Sequence, residues 1–404
     1  MNIRKVMIII IIFAILVSGC GYDNGNKKEI MLAVLHNDSN IQRMVDEYNS
    51  HHDNKITIIE YWASGNPADY ESAMVKFVSD LSGKKSPDII YLDSQMNWYD
   101  YAEKDVFEAL DVYIESSEWF RASDYFENAL SCGRYESKQI AIPISFTLMT
   151  LIGDPKYVSQ DGWTIDDFVK HRLDDKSVEI LQPVSWEGTL NAALKYSIDE
   201  YIDWDAKKVN FETDSFYNLL EVLEGIEVSE KRNSELDGMI ENGKLISKLL
   251  VLSTPSAISS YRDSFANNLV AVGFPSNKGE QINNIQGQYM FGLSANSESK
   301  QEGWDFIEYI HTNGYYGIGF PSQKGAFNKV MQEALTTDDE IMRITEAEYE
   351  FTLSILYKSQ PWDYRTNKVI TIIEEEVSSY INHQKSLEEV VSVINSRINL
   401  LVSE

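Results

Sequence analysis

Cysteine is nearly absent from this 404-residue chain, with Cys20 and Cys132 its two examples. No disulfide framework is available, so a stable core has to come from size. Histidine is scarce as well: His36, His51, His52, His171, His311 and His383 form no HExxH and no Cys/His cluster, which leaves a zinc site without support. No GxSxG elbow, Walker loop or GxGxxG after a strand occurs, which removes the commoner sequence-visible enzyme classes and implies no cofactor. Positive charge is short, with 35 Lys and Arg against 63 Asp and Glu and a formal charge of −28. Such a surface repels nucleic acid phosphates and anionic head groups, and accommodates a neutral or cationic ligand more easily. There is no repeat of fixed period and no low-complexity segment, so solenoids and propellers fall away. The apolar run from Val6 to Val17 holds twelve residues, where a membrane-spanning helix needs about twenty.

What is present begins with that run. Arg4 and Lys5 precede it and small residues end it, the parts of a secretory signal over 1–19. Leu16-Val17-Ser18-Gly19-Cys20 closely resembles the bacterial lipobox, which implies that the Cys20 thiol receives lipid and becomes the anchor. An ordinary cleaved signal with an incidental cysteine is the plainer alternative. Residues 20–28 read as a flexible tether, because their polar composition buries too little to order itself. About 375 residues remain, too many for one hydrophobic core and suited to two domains.

The folded part opens with alternating elements. EIMLAVLH (29 to 36) predicts a strand, and Ile41, Met44, Val45 and Tyr48 lie on one helix face, with Asp38 or Ser39 as its cap. ITIIEYW (56 to 62), a helix carrying Met74, Phe77, Val78 and Leu81, and DIIYL (88 to 92) continue the alternation. Strand, helix, strand, helix, strand with short joints predicts a parallel sheet with right-handed crossovers. Ligands of such sheets bind beyond the carboxyl ends of the strands, which nominates His36-Asn37-Asp38, Trp62 to Gly65 and Asp93-Ser94-Gln95. Further on, 98 to 130 reads as helical and 139 to 154 as a β run long enough to cross between lobes. Residues 245 to 254 suit a buried helix or strand equally, 288 to 295 a strand, and 366 to 402 two amphipathic helices.

The chain from 29 to 404 looks like a family 1 extracellular solute-binding protein, the sugar-type receptors of bacterial ABC importers. The resemblance is carried in order by PDIIYLDSQMNWYDYAEKDVFEALDVYI (87 to 114), QIAIPISFTLMTLIG (139 to 153), WTIDDFVK (163 to 170), VAVGFPSNKGEQ (270 to 281), FGLSANSESKQEGWDFIEYI (291 to 310), YGIGFPSQKGAFNKV (316 to 330) and EEVVSVINSRINLL (388 to 401). It implies an α/β fold of the periplasmic-binding-protein-like type II, two α/β lobes joined by a hinge with interleaved chain crossovers. The first lobe would take 29–142 and 265–290, and the second 143–264 and 291–404. The crossovers would lie near Pro143 to Thr147, Gly292, and Tyr315 to Gly319.

In the second lobe the same resemblance points to Ser145-Phe146-Thr147, Pro183 to Trp186, Thr254-Pro255-Ser256 and Trp362 to Tyr364. Leu92-Asp93-Ser94-Gln95 departs from the maltose-type relatives, so the identity of the sugar does not carry over. A pyranose presents apolar C–H faces and a rim of hydroxyls, which flat amphipathic rings and carboxylates or amides suit respectively. Trp62, Trp186, Trp362 and Tyr364 are the stacking candidates, and Asn37, Asp93 and Gln95 the hydroxyl partners; His36, Ser94, Phe146 and Thr254 complete the expected site. Each has a plainer reading. Asp93 could cap a helix over 95–104, His36 could end its strand, and any tryptophan could be core, where Trp98, Trp163 and Trp304 are assigned.

The function implied is capture of a mono- or oligosaccharide by a monomeric, lipid-anchored receptor that delivers it to an ABC permease, without catalysis. A surface glycoside hydrolase, with a carboxylate pair across a cleft, and a binding-protein-like sensor or adhesion lipoprotein are the competing readings.

Overall fold

The computed structural model describes residues 29–83, 86–93, 96–228, 230–313 and 317–403. Cys20, Ser94 and Gln95 lie outside these described residues, as do the expected signal and tether and part of the expected third crossover.

Seven strands make the main path of one mixed sheet: β1 (Glu29–Val34), β2 (Lys55–Glu60), β3 (Ile89–Leu92), β4 (Ile142–Gly153), β5 (Glu179–Gln182), β6 (Leu245–Leu252) and β7 (Asn283–Leu293). Their order is β2-β1-β3-β7-β4-β6-β5. β1 lies parallel to β2 and β3. Between β1 and β2 runs the helix Ser39–His51, which buries Ile41, Met44, Val45 and Tyr48, and Asp38 caps it by accepting from the Asn40 and Ile41 amides at 2.8 and 2.9 Å. At the far edge β5 and β6 are also parallel, so each end of the sheet is an α/β unit in its own right.

Two long strands join these units. β4 pairs Ile142 and Pro143 with Phe291 and Met290 of β7, then Leu148 to Gly153 with Leu252 to Ser247 of β6. β7 runs the other way, with Asn284 beside Met149 and Phe291 to Leu293 beside Tyr91 to Ile89. Eleven of the twelve β4 residues are buried, the near-continuous apolar pattern of a strand covered on both faces. One hydrophobic cluster continues from Ala33 and Phe77 through Phe146 to Phe327 and Ile355, while separate clusters cover the opposite face of each lobe.

Three features differ from expectation. Val270–Ala271 pairs with the end of β4, and Val272 and Phe274 pack with Trp163 and Ile165, residues expected in the other lobe. Trp304, Phe306, Ile307 and Ile310 pack with Ile30 and Leu32, again residues expected in the other lobe. The helical pattern over 98–130 yields only the short helices Tyr99–Ala102, Asp111–Ser116 and Glu127–Ser131. There the backbone bonds outward, Glu108 to Leu293 at 2.9 Å and Leu110 to Gln139 at 2.7 Å, and tertiary pairing overrides local propensity. The undecided segment 245–254 forms β6, because it is flanked by strands on both sides.

Candidate functional site

The carboxyl ends of the three parallel strands of the first lobe meet as topology requires. Leu35, His36, Asp38, Trp62, Gly65, Tyr91 and Asp93 line one cavity of about 280 Å³. Glu60 ties the loops together, accepting from the Asn37 amide at 2.8 Å and facing His36 Nδ1 at 3.1 Å. The Trp62 indole N–H donates to the Asn66 carbonyl at 2.9 Å, and its ring meets Tyr70 edge-on at 5.2 Å. Gly65, at φ 60, closes this turn by donating to the Trp62 carbonyl, a conformation that glycine adopts without cost. Asn37 stands beside the cavity, its amide donating to Gln42. Asp93 is no helix cap; the next helix starts beyond Trp98 with no side-chain cap.

The β7 crossover reaches the same place. Tyr289 has φ 51, unusual for a residue other than glycine. Its hydroxyl donates to Asp38 at 2.7 Å and accepts from Asn40 at 3.0 Å, so the loop after β1 is bonded to a strand that links the lobes. Burial, with Asp93, Tyr289 and Asp38 nearby, holds the Tyr91 phenol above its ordinary range, leaving it a proton donor at neutral pH.

A second set of groups lies where the lobes touch. Asp363 caps the helix Tyr364–Ile381 through the Arg365 amide at 2.9 Å, which holds Trp362 and Tyr364 at the tip of that element. Tyr364 stacks on Tyr99 of the first lobe at 4.5 Å and 16°, and Tyr99 stacks on Trp98 at 3.5 Å. Lys368 pairs with Asp100 at 2.8 Å and Glu103 at 3.1 Å across the same boundary. Two cavities of about 690 and 650 Å³ meet here, sharing Tyr99, Pro361 and Trp362 in their walls. Both lie within the size range of small-molecule sites. Lys195, at the end of the helix Trp186–Leu194, sets its ammonium 2.8 Å from the centre of the Trp362 ring. Burial pulls that amine down to about 7, against the opposing charge of Glu374.

The structure thus brings His36, Trp62 and Asp93 together in one hollow and Trp362 and Tyr364 together in another. Three expected residues stand elsewhere. Phe146 is fully buried in a ring cluster with Phe126, Phe320 and Phe327, because a crossover strand covered on both faces has no side that opens to the cleft. Trp186 opens its helix and lies half-buried against the second-lobe core. Thr254 spends its hydroxyl on the helix Pro255–Ser259, accepting from the Ala257 amide at 3.2 Å. Trp98, Trp163 and Trp304 are core as assigned, and Trp98 also lines the larger cavity.

Sequence reasoning missed Tyr91, Tyr99, Tyr289 and Lys195. The aromatic cluster WYDY, directly after the third strand-end loop, was a usable signal for Tyr99. Lys195 sits in an ordinary helical pattern and gave none.

Paired α/β lobes joined by antiparallel crossover strands, with polar and aromatic loops facing the boundary, define a two-lobed binding protein. The family model of bacterial extracellular solute-binding proteins matches residues 33–316, and the chain belongs to that family. Solved structures share the fold. An ABC substrate-binding protein from Listeria monocytogenes in complex with cycloalternan is 17% identical with a TM-score of 0.55, covering 94% of this chain and 100% of that one. The sugar-binding protein MalE from Xanthomonas citri is 14% identical with a TM-score of 0.58, covering 93% and 98%. A cyclic α-maltosyl-1,6-maltose binding protein from Arthrobacter globiformis is 15% identical with a TM-score of 0.55, again covering 93% and 98%. No curated protein matches the chain. Among the described residues no helix is long and apolar enough to cross a membrane.

Proposed function

We propose that this protein captures a mono- or oligosaccharide between its two lobes and delivers it to an ABC permease, held at the membrane by lipid on Cys20. In this reading one lobe takes 29–141 with 290–313 and the other 148–282 with 324–403, the crossover strands lying between.

The observation that carries the reading is the convergence of Tyr99, Trp362 and Tyr364 from opposite lobes on adjoining ligand-sized cavities. Aromatic faces cover the C–H surfaces of a pyranose, and closure of the hinge brings faces from both lobes onto one ligand. On the first lobe, His36, Asn37, Trp62 and Asp93 supply the polar rim and a further ring, with Ser94 and Gln95 next in the chain. The names of the solved relatives, one in complex with cycloalternan and one a cyclic α-maltosyl-1,6-maltose binding protein, support a carbohydrate.

Incubation of the protein with a glycan panel tests the reading. A saccharide that raises the melting temperature and is recovered unaltered supports a receptor. Formation of a hydrolysis product rejects it in favour of an enzyme. For the anchor, metabolic labelling with a fatty-acid probe should mark the protein and lose its signal in Cys20→Ser.

A further inference from the structure

We infer that the solute is an acidic saccharide, one bearing a carboxylate, and that Lys195 beside Trp362 receives that carboxylate. The inference rests on the receptor reading above and names its ligand class.

The cations around these cavities are otherwise matched within the protein. Lys368 is held by Asp100 and Glu103, Arg365 by both oxygens of Asp363, and Arg134 by Glu127 and Gln139. Lys195 differs: among the described residues its ammonium has no carboxylate at salt-bridge distance and no hydrogen-bond acceptor, only the face of the Trp362 ring. Glu374, whose charge acts on it, is engaged by Asn191, and Glu187 by Ser185. A cation without an acceptor therefore stands in the wall of a ligand-sized cavity.

An unmatched buried donor is costly, and a buried charge more so. In a chain with 63 carboxylates to 35 cations, a protein-borne partner would be easy to supply, so its absence here points to an acceptor that arrives with the ligand. A sugar carboxylate fits this wall: its pyranose lies against aromatic surface, and its anion makes a charge-assisted bond to the ammonium. The surplus of negative charge over the whole surface favours neutral or cationic solutes, and this corner of the cavity reverses that preference locally.

A second consequence follows from the environment of the amine. Burial depresses its proton affinity against the charge of Glu374 on the helix Tyr364–Ile381, which Glu187 influences in turn, and Arg134, Glu136, Asp199, Asp363 and Arg365 are the other charged groups on the cavity wall. An arriving carboxylate restores the protonated form, so binding near neutral pH takes up a proton.

Calorimetric titration of the full-length chain with trigalacturonate and with maltotriose, in phosphate and in Tris, tests this, with Lys195→Met as the variant. Trigalacturonate should bind more tightly than maltotriose, weaken at least about tenfold in Lys195→Met, and show a buffer-dependent heat of proton uptake. Maltotriose should respond to neither change. If maltotriose binds at least as tightly and trigalacturonate takes up no proton, the inference falls while the receptor reading stands. If no glycan binds, both fall. Should Lys195→Met melt below the wild type, the buffer dependence of the wild-type heat decides alone.

Discussion

His311 gives the sharpest quantitative test of the packing around the crossover. It ends the helix Lys300–Thr312 with its ring enclosed by Phe120 and Tyr125, each at 5.8 Å, and is 6% exposed. Its bond to Ile142, the first residue of β4, stabilises one ring nitrogen, whereas Nε2 has no partner. Burial dominates and lowers its pKa from 6.5 to about 3. A base with a depressed folded pKa binds fewer protons folded than unfolded, so its contribution is intact above about pH 6.5 and is lost as pH falls toward 3. At about pH 5 the unfolded chain is protonated there and the folded one is not, a difference of about 1.5 units or about 2 kcal/mol at 1.36 kcal/mol per unit. Denaturant unfolding at about pH 7.5 and about pH 5 should be compared for the wild type and His311→Phe, so that carboxylates titrating in both cancel. The wild type should lose about 2 kcal/mol more than the variant. Equal losses would mean that the ring is hydrated or paired, and the enclosed pocket would be wrong.

Two further outcomes are expected. Lys248, fully buried on β6, pairs with Asp237 and donates to Ser264 at 2.8 Å, so Lys248→Met should destabilise by about 3–5 kcal/mol by leaving Asp237 buried and unpaired. Asp237→Leu added to it should recover part of that loss; no recovery in thermal unfolding would show that the carboxylate is not what suffers. Trp362→Ala should weaken saccharide binding by about 1–4 kcal/mol, whereas Trp186→Ala should lower stability by about 1 kcal/mol and leave affinity alone. The reverse order of affinities in a titration would move the site to the Trp186 loop.

Legibility followed the range of the forces involved. The helix Ser39–His51 was readable to its cap and its buried face, since spacing and capping act within one turn. The strand-end loops of the first lobe were placed by topology alone, and His36, Trp62 and Asp93 do share a hollow. Phe146 was misplaced because its neighbours Phe126 and Phe327 lie 20 and 181 residues away, and nothing in its own segment tells an aromatic that lines a cleft from one that fills a core. The short helices within 98–130 were hidden for a similar reason, their backbone amides having partners as remote as Leu293.

The amino-acid order by itself determined a large acidic chain, an alternation of strand and helix, and the side of the sheet on which loops gather. It did so through short-range rules of hydrophobic period, capping and chain handedness. Only the tertiary structure decided that β4 and β7 carry the chain between lobes, that Tyr99 meets Tyr364, and that Lys195 rests on Trp362 without an acceptor. Those relations join residues 135 to 265 positions apart, and their energy resides in burial and missing partners, which exist only once the chain has closed around them.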